Sequence, residues 1–366
     1  METDTLARRG SRPSPWPLML AAAGFYAGYA AMASLRAKTP DRSRESFRDA
    51  VVLITGGARG LGFATAKTFA AEGAHLVLLA RTEEELQRAA QRLREEFGVR
   101  VFPVVCDVRN EAAVVRAVEA IIDEMGRLDV LVNNAGVIQV MPYAHAQPED
   151  FRNSLETHFW GPYYLTRACL PHLARRRGRI VNVSSIGGRI SVPHLMPYGV
   201  GKFALVGFSE GLHAELQREG VSVTTVTPHL MQAGSHRNAL VRGRHALEAT
   251  WFALGTASRL TALDAKDVAR TIVEAARARR ACVTPGWQAR LAILLNAVAP
   301  ELVATLATIA VTVLPSKTDP ATGDIGRLSR DVRIGLPARF FPTQSARDLN
   351  QPIAPDEAGA VTATGS

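Results

Sequence analysis

The residues best suited to proton chemistry are a tyrosine and a lysine four apart, in Tyr198-Gly-Val-Gly-Lys202. Positions i and i+4 of a helix share a face, so the phenol and the ammonium should point the same way. A nearby ammonium is expected to lower the phenol's pKa, letting the tyrosine exchange protons near neutrality. Thirteen residues earlier stands Ser185, whose hydroxyl could hold a carbonyl oxygen by hydrogen bond. The two glycines between the tyrosine and the lysine should weaken that helix by about 1 kcal/mol each relative to alanine.

A second constellation is Thr55-Gly56-Gly57-Ala58-Arg59-Gly60-Leu61-Gly62. It follows the apolar run 50–54 and precedes the helix-like FATAKTFAAEG. Glycines at 56, 60 and 62 let the backbone turn sharply and approach a pyrophosphate seated on a helix N-terminus. A glycine-rich turn alone is common; the strand before and the helix after carry the nucleotide reading. The next strand ends Leu79-Ala80-Arg81-Thr82, without the acid that would hold a ribose 2′-hydroxyl in an NAD site. With Arg59 expected to face the same ribose, two arginines and no carboxylate favour the 2′-phosphate of NADP(H). The bland alternative is two solvated surface arginines. Asp107 and Asn133-Asn134-Ala135-Gly136 follow the third and fourth strand-like runs, at the carboxyl ends where open α/β sheets bind ligands.

These residues need a sheet to carry them. Short β-branched runs at 50–54, 74–80, 99–106, 127–133, 179–184 and 221–227 alternate with helical stretches such as Thr82–Phe97, Glu111–Met125 and Ser154–Arg176. Apolar strands alternating with amphipathic helices imply an α/β, doubly wound parallel sheet covered on both faces.

In these motifs the chain resembles the short-chain dehydrogenase/reductase superfamily. The resemblance spans about residues 50–285 and rests on TGGARGLG (55–62), CDV (106–108), NNAG (133–136), VSS (183–185) and YGVGK (198–202), in family order and spacing. It implies a Rossmann fold with Tyr198 as catalytic acid/base, Lys202 binding the nicotinamide ribose and tuning that tyrosine, and Ser185 orienting the substrate oxygen. It places Thr55, Gly56, Arg59, Gly60, Leu61, Gly62, Arg81, Asp107, Asn133, Ala135, Gly136 and Pro228 around the cofactor, Asp107 at the adenine and Asn133 lining the cleft. HFWGPYYLTRACLP and PHLMPY are similar to membrane-anchored bacterial members. Three positions depart from the family pattern. His158 stands where an asparagine usually supports a lysine–water proton relay, Pro228-His229 replaces Pro-Gly, and Ala233 replaces a threonine that often contacts the nicotinamide amide. Imidazole also relays protons, so His158 is either a fourth catalytic group or a helix-packing residue.

Composition bounds the rest. The 366 residues, 47% hydrophobic and 21% charged, suit one large globular domain with extensions rather than a disordered or multi-span chain. Three scattered cysteines and nine histidines show no disulfide framework or zinc spacing, so no metal is expected. The net charge of +9 has no recognition motif beside it. The run Arg175-Arg176-Arg177-Gly178-Arg179 reads as a helix end and not a nucleic-acid patch. We therefore divide the chain into a basic segment (1–15), a membrane anchor (16–35), a linker (36–48), an NADP-binding catalytic domain (49–285), an apolar helical extension broken at Pro300 (286–315) and a disordered tail (316–366). Trp16–Leu35 runs 20 residues without a charge, roughly 30 Å as a helix. A cleaved signal or an interfacial helix are its alternatives. Arg36, Lys38, Arg42, Arg44 and Arg48 outnumber Arg8, Arg9 and Arg12, which puts the catalytic domain on the cytoplasmic side. The expected function is an NADP(H)-dependent oxidoreductase interconverting an alcohol and a ketone or aldehyde. Leu240, Leu247, Trp251, Phe252 and Leu254, in the expected substrate loop 233–263, suggest a hydrophobic substrate or a packed lid. A non-catalytic NADP-binding sensor or scaffold is the alternative, and a homo-oligomer is left open.

Overall fold

The computed structural model describes residues 45–232, 238–257, 262–315, 326–327 and 348–351. The expected anchor at 16–35, its basic flank at 1–15 and Ala233 lie outside the described residues.

From Val51 the chain alternates strand and helix: β1 (Val51–Thr55), α1 (Gly60–Ala71), β2 (His75–Ala80), α2 (Glu83–Phe97), β3 (Val101–Val105), α3 (Glu111–Met125) and β4 (Val130–Asn133). After a two-residue strand β5 (Gln139–Val140) come α4 (Pro148–Leu155), a π-helical turn (Glu156–Trp160) and α5 (Gly161–Arg175). Then follow β6 (Arg179–Val183), α6 (Met196–Glu215), β7 (Ser222–Val226), β8 (Leu240–Val241), α7 (His245–Ala257), α8 (Ala265–Arg277) and β9 (Cys282–Val283). The last elements are α9 (Trp287–Val298), α10 (Pro300–Val311) and β10 (Gly326–Arg327). The main sheet has the order β3-β2-β1-β4-β6-β7-β9 with every pair parallel. The order reverses between β1 and β4, the switch point at which such sheets bind ligands.

Strand periodicity explains the two cores. In β1, Val52 and Ile54 point into one layer with Phe63, Phe69, Leu86 and Ile272, while Val51 and Leu53 point into the other with Val114, Ile121, Leu165 and Leu173. Both faces are covered, so β1 is buried at every position, as a central parallel strand requires. Asp129 pins the start of this sheet. It accepts the Val51 amide at 2.9 Å and pairs with Arg127 at 2.7 Å and Arg176 at 3.3 Å. Burial opposes its ionisation, but the Arg127, Val51 and Arg176 hydrogen bonds outweigh that and hold the carboxyl below its ordinary value. The arginine run ending α5 is thus structural at Arg176.

The sequence reading differs from the structure in three places. The expected helix Ser154–Arg176 is α4, a π turn that contains His158, and α5; π turns escape a 3.6-residue pattern. The expected disordered tail departs from that reading where β10 pairs with β8 and where Leu349 sits in the first core layer. The strand β9 at the sheet edge, only two residues long, is too short to show periodicity.

Candidate active site

The glycine turn connects β1 to α1. Gly56 has φ +63°, and a Cβ there would meet Ala135 Cα and Asn134 Nδ2 at 3.1 Å. A Cβ on Gly62 would come within 2.1 Å of the Gly56 carbonyl oxygen. Only glycine lets the turn fold this tightly. Beneath it, the buried Thr55 hydroxyl accepts the amides of Asn134 and Ala135, each at 2.9 Å. Asn134 Nδ2 donates to the Thr55 carbonyl at 2.9 Å. Thr55 therefore ties the turn to the NNAG segment from inside the fold. Asn134, to which the motif alone assigns no separate role, does the same from its side chain. Among the described residues, the amides of Leu61 and Gly62 have no acceptor. Free amides at a helix N-terminus over a glycine cradle fit a pyrophosphate, so the residues present suit a dinucleotide.

Farther along the sheet edge, Arg81 is exposed and Arg59 pairs with Glu85 at 2.9 Å. Asp107 is gripped by Arg109, with Nη2 at 2.6 Å from Oδ2. Burial works against its charge, but the Arg109 hydrogen bonds, with Arg109 and Arg81 nearby, hold its carboxyl below the ordinary range.

Asn133 requires a correction. Its side chain does not line the cleft: it is buried, with Nδ2 donating to Asn182 Oδ1 at 2.8 Å, and Asn182 in turn donates to Ser209 Oγ at 2.8 Å. This polar chain crosses from β4 through β6 to α6, so Asn133 fixes where α6 lies. A strand residue presents one face only, and this one faces inward.

Helix α6 brings Tyr198 and Lys202 beneath the end of β6. Ser185 Oγ accepts the Gly187 amide at 3.1 Å, which fixes the hydroxyl on the same side of the site as Tyr198. Pro228, after β7, accepts the Ile186 amide at 2.8 Å and locks the loop that carries Ser185. Lys202 is buried, and its Nζ donates to the Val183 carbonyl at 2.8 Å, 5.8 Å from the Tyr198 ring centre. The expected depression of the tyrosine pKa by this ammonium does not hold. Burial pushes Tyr198 up, and the Ser185 hydrogen bond opposes this only in part. Burial also pushes Lys202 down to about 7. Desolvation disfavours both charged forms.

His158 sits in the π turn, with its ring edge-on to Tyr198 at 5.4 Å between centroids. Its Nε2 lies 2.9 Å from the Val137 carbonyl, which can only accept, so Nε2 carries the proton. Burial, and then the Lys202 charge, hold its pKa well below the ordinary value and keep the ring neutral. Its Nδ1 is a buried acceptor without a hydrogen-bond partner. Gly136 makes room for it, since a Cβ there would sit 3.0 Å from His158 Cε1. Gly201 does so from the other side, as described below. The structure thus brings Ser185, Tyr198, Lys202 and His158 together.

Over this group lies a third apolar cluster: Val140, Leu195, Val241, Ala249 and Phe252, with Tyr198, Leu230 and Trp251 packed against it. Phe252 is buried within it, while Leu247 and Leu254 face outward. Glu248, fully buried, accepts from Trp251 Nε1 at 2.7 Å and meets His194 Nδ1 at 2.8 Å. Helix α7 is thus packed on this cluster and pinned at its centre by Glu248. Among the described residues, no group of three or more His, Cys, Asp or Glu is placed to hold a metal.

Comparison with known proteins agrees with this geometry. Residues 50–241 match the short chain dehydrogenase family model. The 11-beta-hydroxysteroid dehydrogenase-like 4A protein of Arabidopsis thaliana is 34% identical over 267 residues, covering 71% of this chain and 84% of its own. Among solved structures, L-sorbose reductase from Gluconobacter frateurii, complexed with NADPH and L-sorbose, is 28% identical with a TM-score of 0.58, covering 65% of this chain and 94% of its own. A short chain dehydrogenase/reductase from Burkholderia phymatum in complex with NAD is 26% identical with a TM-score of 0.65, covering 75% of this chain and 98% of its own. With the glycine cradle, the parallel sheet and the Ser185–Tyr198–Lys202 set all in place, the chain belongs to the short-chain dehydrogenase/reductase family.

Proposed function

We propose that this oxidoreductase interconverts an alcohol and a ketone or aldehyde with NADP(H), acts on an apolar substrate, and works at a membrane surface. The observation that carries the reaction is the grouping of Ser185, Tyr198 and Lys202 at the end of β6, with Lys202 Nζ held on the Val183 carbonyl 5.8 Å from the Tyr198 ring centre. When bound, the nicotinamide supplies or takes the hydride at the carbon. In reduction, Tyr198 gives its proton to the carbonyl oxygen while Ser185 donates a hydrogen bond to the charge developing there. In oxidation the same phenol oxygen receives the hydroxyl proton. Lys202, held on the Val183 carbonyl 5.8 Å from the Tyr198 ring centre, supplies the positive field beside the phenol while it is protonated.

Arg81 supports NADP over NAD: it is exposed at the ribose end of the cleft, with no acid at the end of β2. The partly buried Leu230 and Trp251 beside Tyr198 support an apolar substrate. The membrane is supported by α9 and α10. Trp287, Leu294, Val298, Leu302, Leu306 and Ile309 are each more than half exposed, and α10 buries no residue at all. The hydroxyls of Thr305, Thr308 and Thr312 donate back to helix carbonyls at 2.8, 2.9 and 2.7 Å, so these side chains are satisfied within the helix. Among the described residues, no single helix is long and apolar enough to cross a membrane; α9 and α10 are bent 117° at their junction. Tyr198→Phe should abolish turnover while NADPH binding, read by cofactor fluorescence, stays within about twofold; retention of most of the rate would refute the assigned proton donor.

A further inference from the structure

We propose that Leu349 and Asn350 are positioning residues for 2′-phosphate recognition, clamping Arg59 from both sides. The inference rests on the NADP reading above and adds residues that no glycine motif contains. Arg59 lies at the head of α1, preceded by Ala58 and followed by Gly60. Its two neighbours are both held by the same distant segment. The Gly60 amide donates to the Leu349 carbonyl at 2.8 Å. The Ala58 carbonyl accepts Asn350 Nδ2 at 2.6 Å.

The same Nδ2 reaches the Glu85 carbonyl at 3.3 Å, and Glu85 is the residue whose carboxylate pairs with Arg59. Asn350 therefore bridges the glycine turn to the first turn of α2. Arg59 stands on one side of that bridge, and the end of β2 with Arg81 leads into the other. Arg92, on α2, donates to Asn350 Oδ1 at 3.4 Å and orients the amide. Leu349 seats the segment by burying its side chain in the core layer that holds Ala58, Leu61 and Phe63. Asp348 pairs with Lys266 on α8 at 2.9 Å.

The residue type fits the task. Asn350 has φ +54°, a left-handed conformation that asparagine tolerates better than most residues. Its amide supplies two donor protons, one for each carbonyl. The clamp takes the first amide of α1 and leaves those of Leu61 and Gly62 for the pyrophosphate. It thus acts on the ribose end of the cleft and leaves the diphosphate contacts alone.

The test is the affinity ratio between NADPH and NADH, measured by fluorescence titration on the full chain. Asn350→Asp keeps the size and the left-handed preference but turns a donor facing two carbonyls into an acceptor. Asn350→Gly keeps the backbone and removes the side chain. Each variant should weaken NADPH about tenfold and NADH less than threefold, and Arg81→Ala should likewise act on NADPH alone. Equal affinities in the wild-type protein would overturn the NADP reading, and the clamp with it. A wild type that prefers NADPH, with a ratio unchanged in both Asn350 variants, would overturn the clamp alone. The ratio separates positioning from stability, because a merely structural role lowers the melting temperature and leaves the ratio unmoved.

Discussion

Lys202 carries its charge at a cost that depends on pH. Its folded pKa of about 7 lies below the ordinary 10.5. Below pH 7 folded and unfolded chains both hold the proton; between about 7 and 10.5 only the unfolded chain keeps it. Stability rises with pH wherever the unfolded state binds more protons, so this group's contribution climbs across that window. Denaturant unfolding at pH 7 and pH 9 should therefore show the wild type gaining on the order of 2 kcal/mol relative to Lys202→Met. An identical pH response in the two proteins would mean that the lysine titrates normally. Lys202, Tyr198 and Ser185 were legible in the sequence because helical spacing and strand ends set their direction. Their proton affinities were not, since those follow from burial that no local pattern records. His158 was legible as a position but not as a tautomer. Asn133 was misread because its side-chain face depends on the neighbouring strand's Asn182.

At the scale of elements, the glycines of α6 do different work along one helix. Gly201 faces Ser154 and His158: a Cβ there would lie 2.5 Å from Ser154 Oγ, 2.9 Å from its carbonyl oxygen and 3.1 Å from His158 Cβ. Gly207 and Gly211 have nothing within 4 Å. The helix-weakening expected of Gly201 is thus the condition for α6 to approach the π turn and bring His158 beside Tyr198. Thermal unfolding should show opposite signs on the same helix. Gly201→Ala should lose about 1–3 kcal/mol through overpacking, and Gly207→Ala should gain roughly 0.5–1 kcal/mol. A stabilised Gly201→Ala would mean that the two helices are not in firm contact. Strand and helix order was legible from periodicity, whereas the π turn, β9 and the Glu248–His194 pair were not. The π turn breaks the 3.6-residue pattern, β9 is two residues long, and the Glu248–His194 pair joins segments far apart in sequence. His194, for instance, has φ +62° and is held by a carboxylate 54 residues away.

For the molecule as a whole, the exposed apolar pair α9–α10 sets where it can stay. Spin labels at Leu294→Cys and Leu306→Cys, with exposed Cys282 changed to serine, would report the surroundings in vesicles of zwitterionic and anionic lipid. Collisions with oxygen should exceed those with a water-soluble nickel complex at both sites. Nickel-dominated collisions would place the pair in water, and low values for both reagents would place it against protein. Asn296 Nδ2 donates to the Arg189 carbonyl, four residues past Ser185, so whatever surrounds this pair lies close to the reacting end of the cleft. The clamp on Arg59 has a different kind of consequence, in the order of synthesis. Ala58 and Asn350 are 292 residues apart, which a ribosome covers in roughly 15–60 s at about 5–20 residues per second. Throughout that interval β1, α1 and the glycine turn exist without the segment that fixes the ribose-side arginine. A nascent chain can assemble its sheet and place Tyr198 on α6 before the residues that hold the Gly60 amide and the Ala58 carbonyl have been made. On the proposed reading the ribose-side arginine is the part of the glycine turn completed last, once Leu349 has entered the core layer beside Ala58.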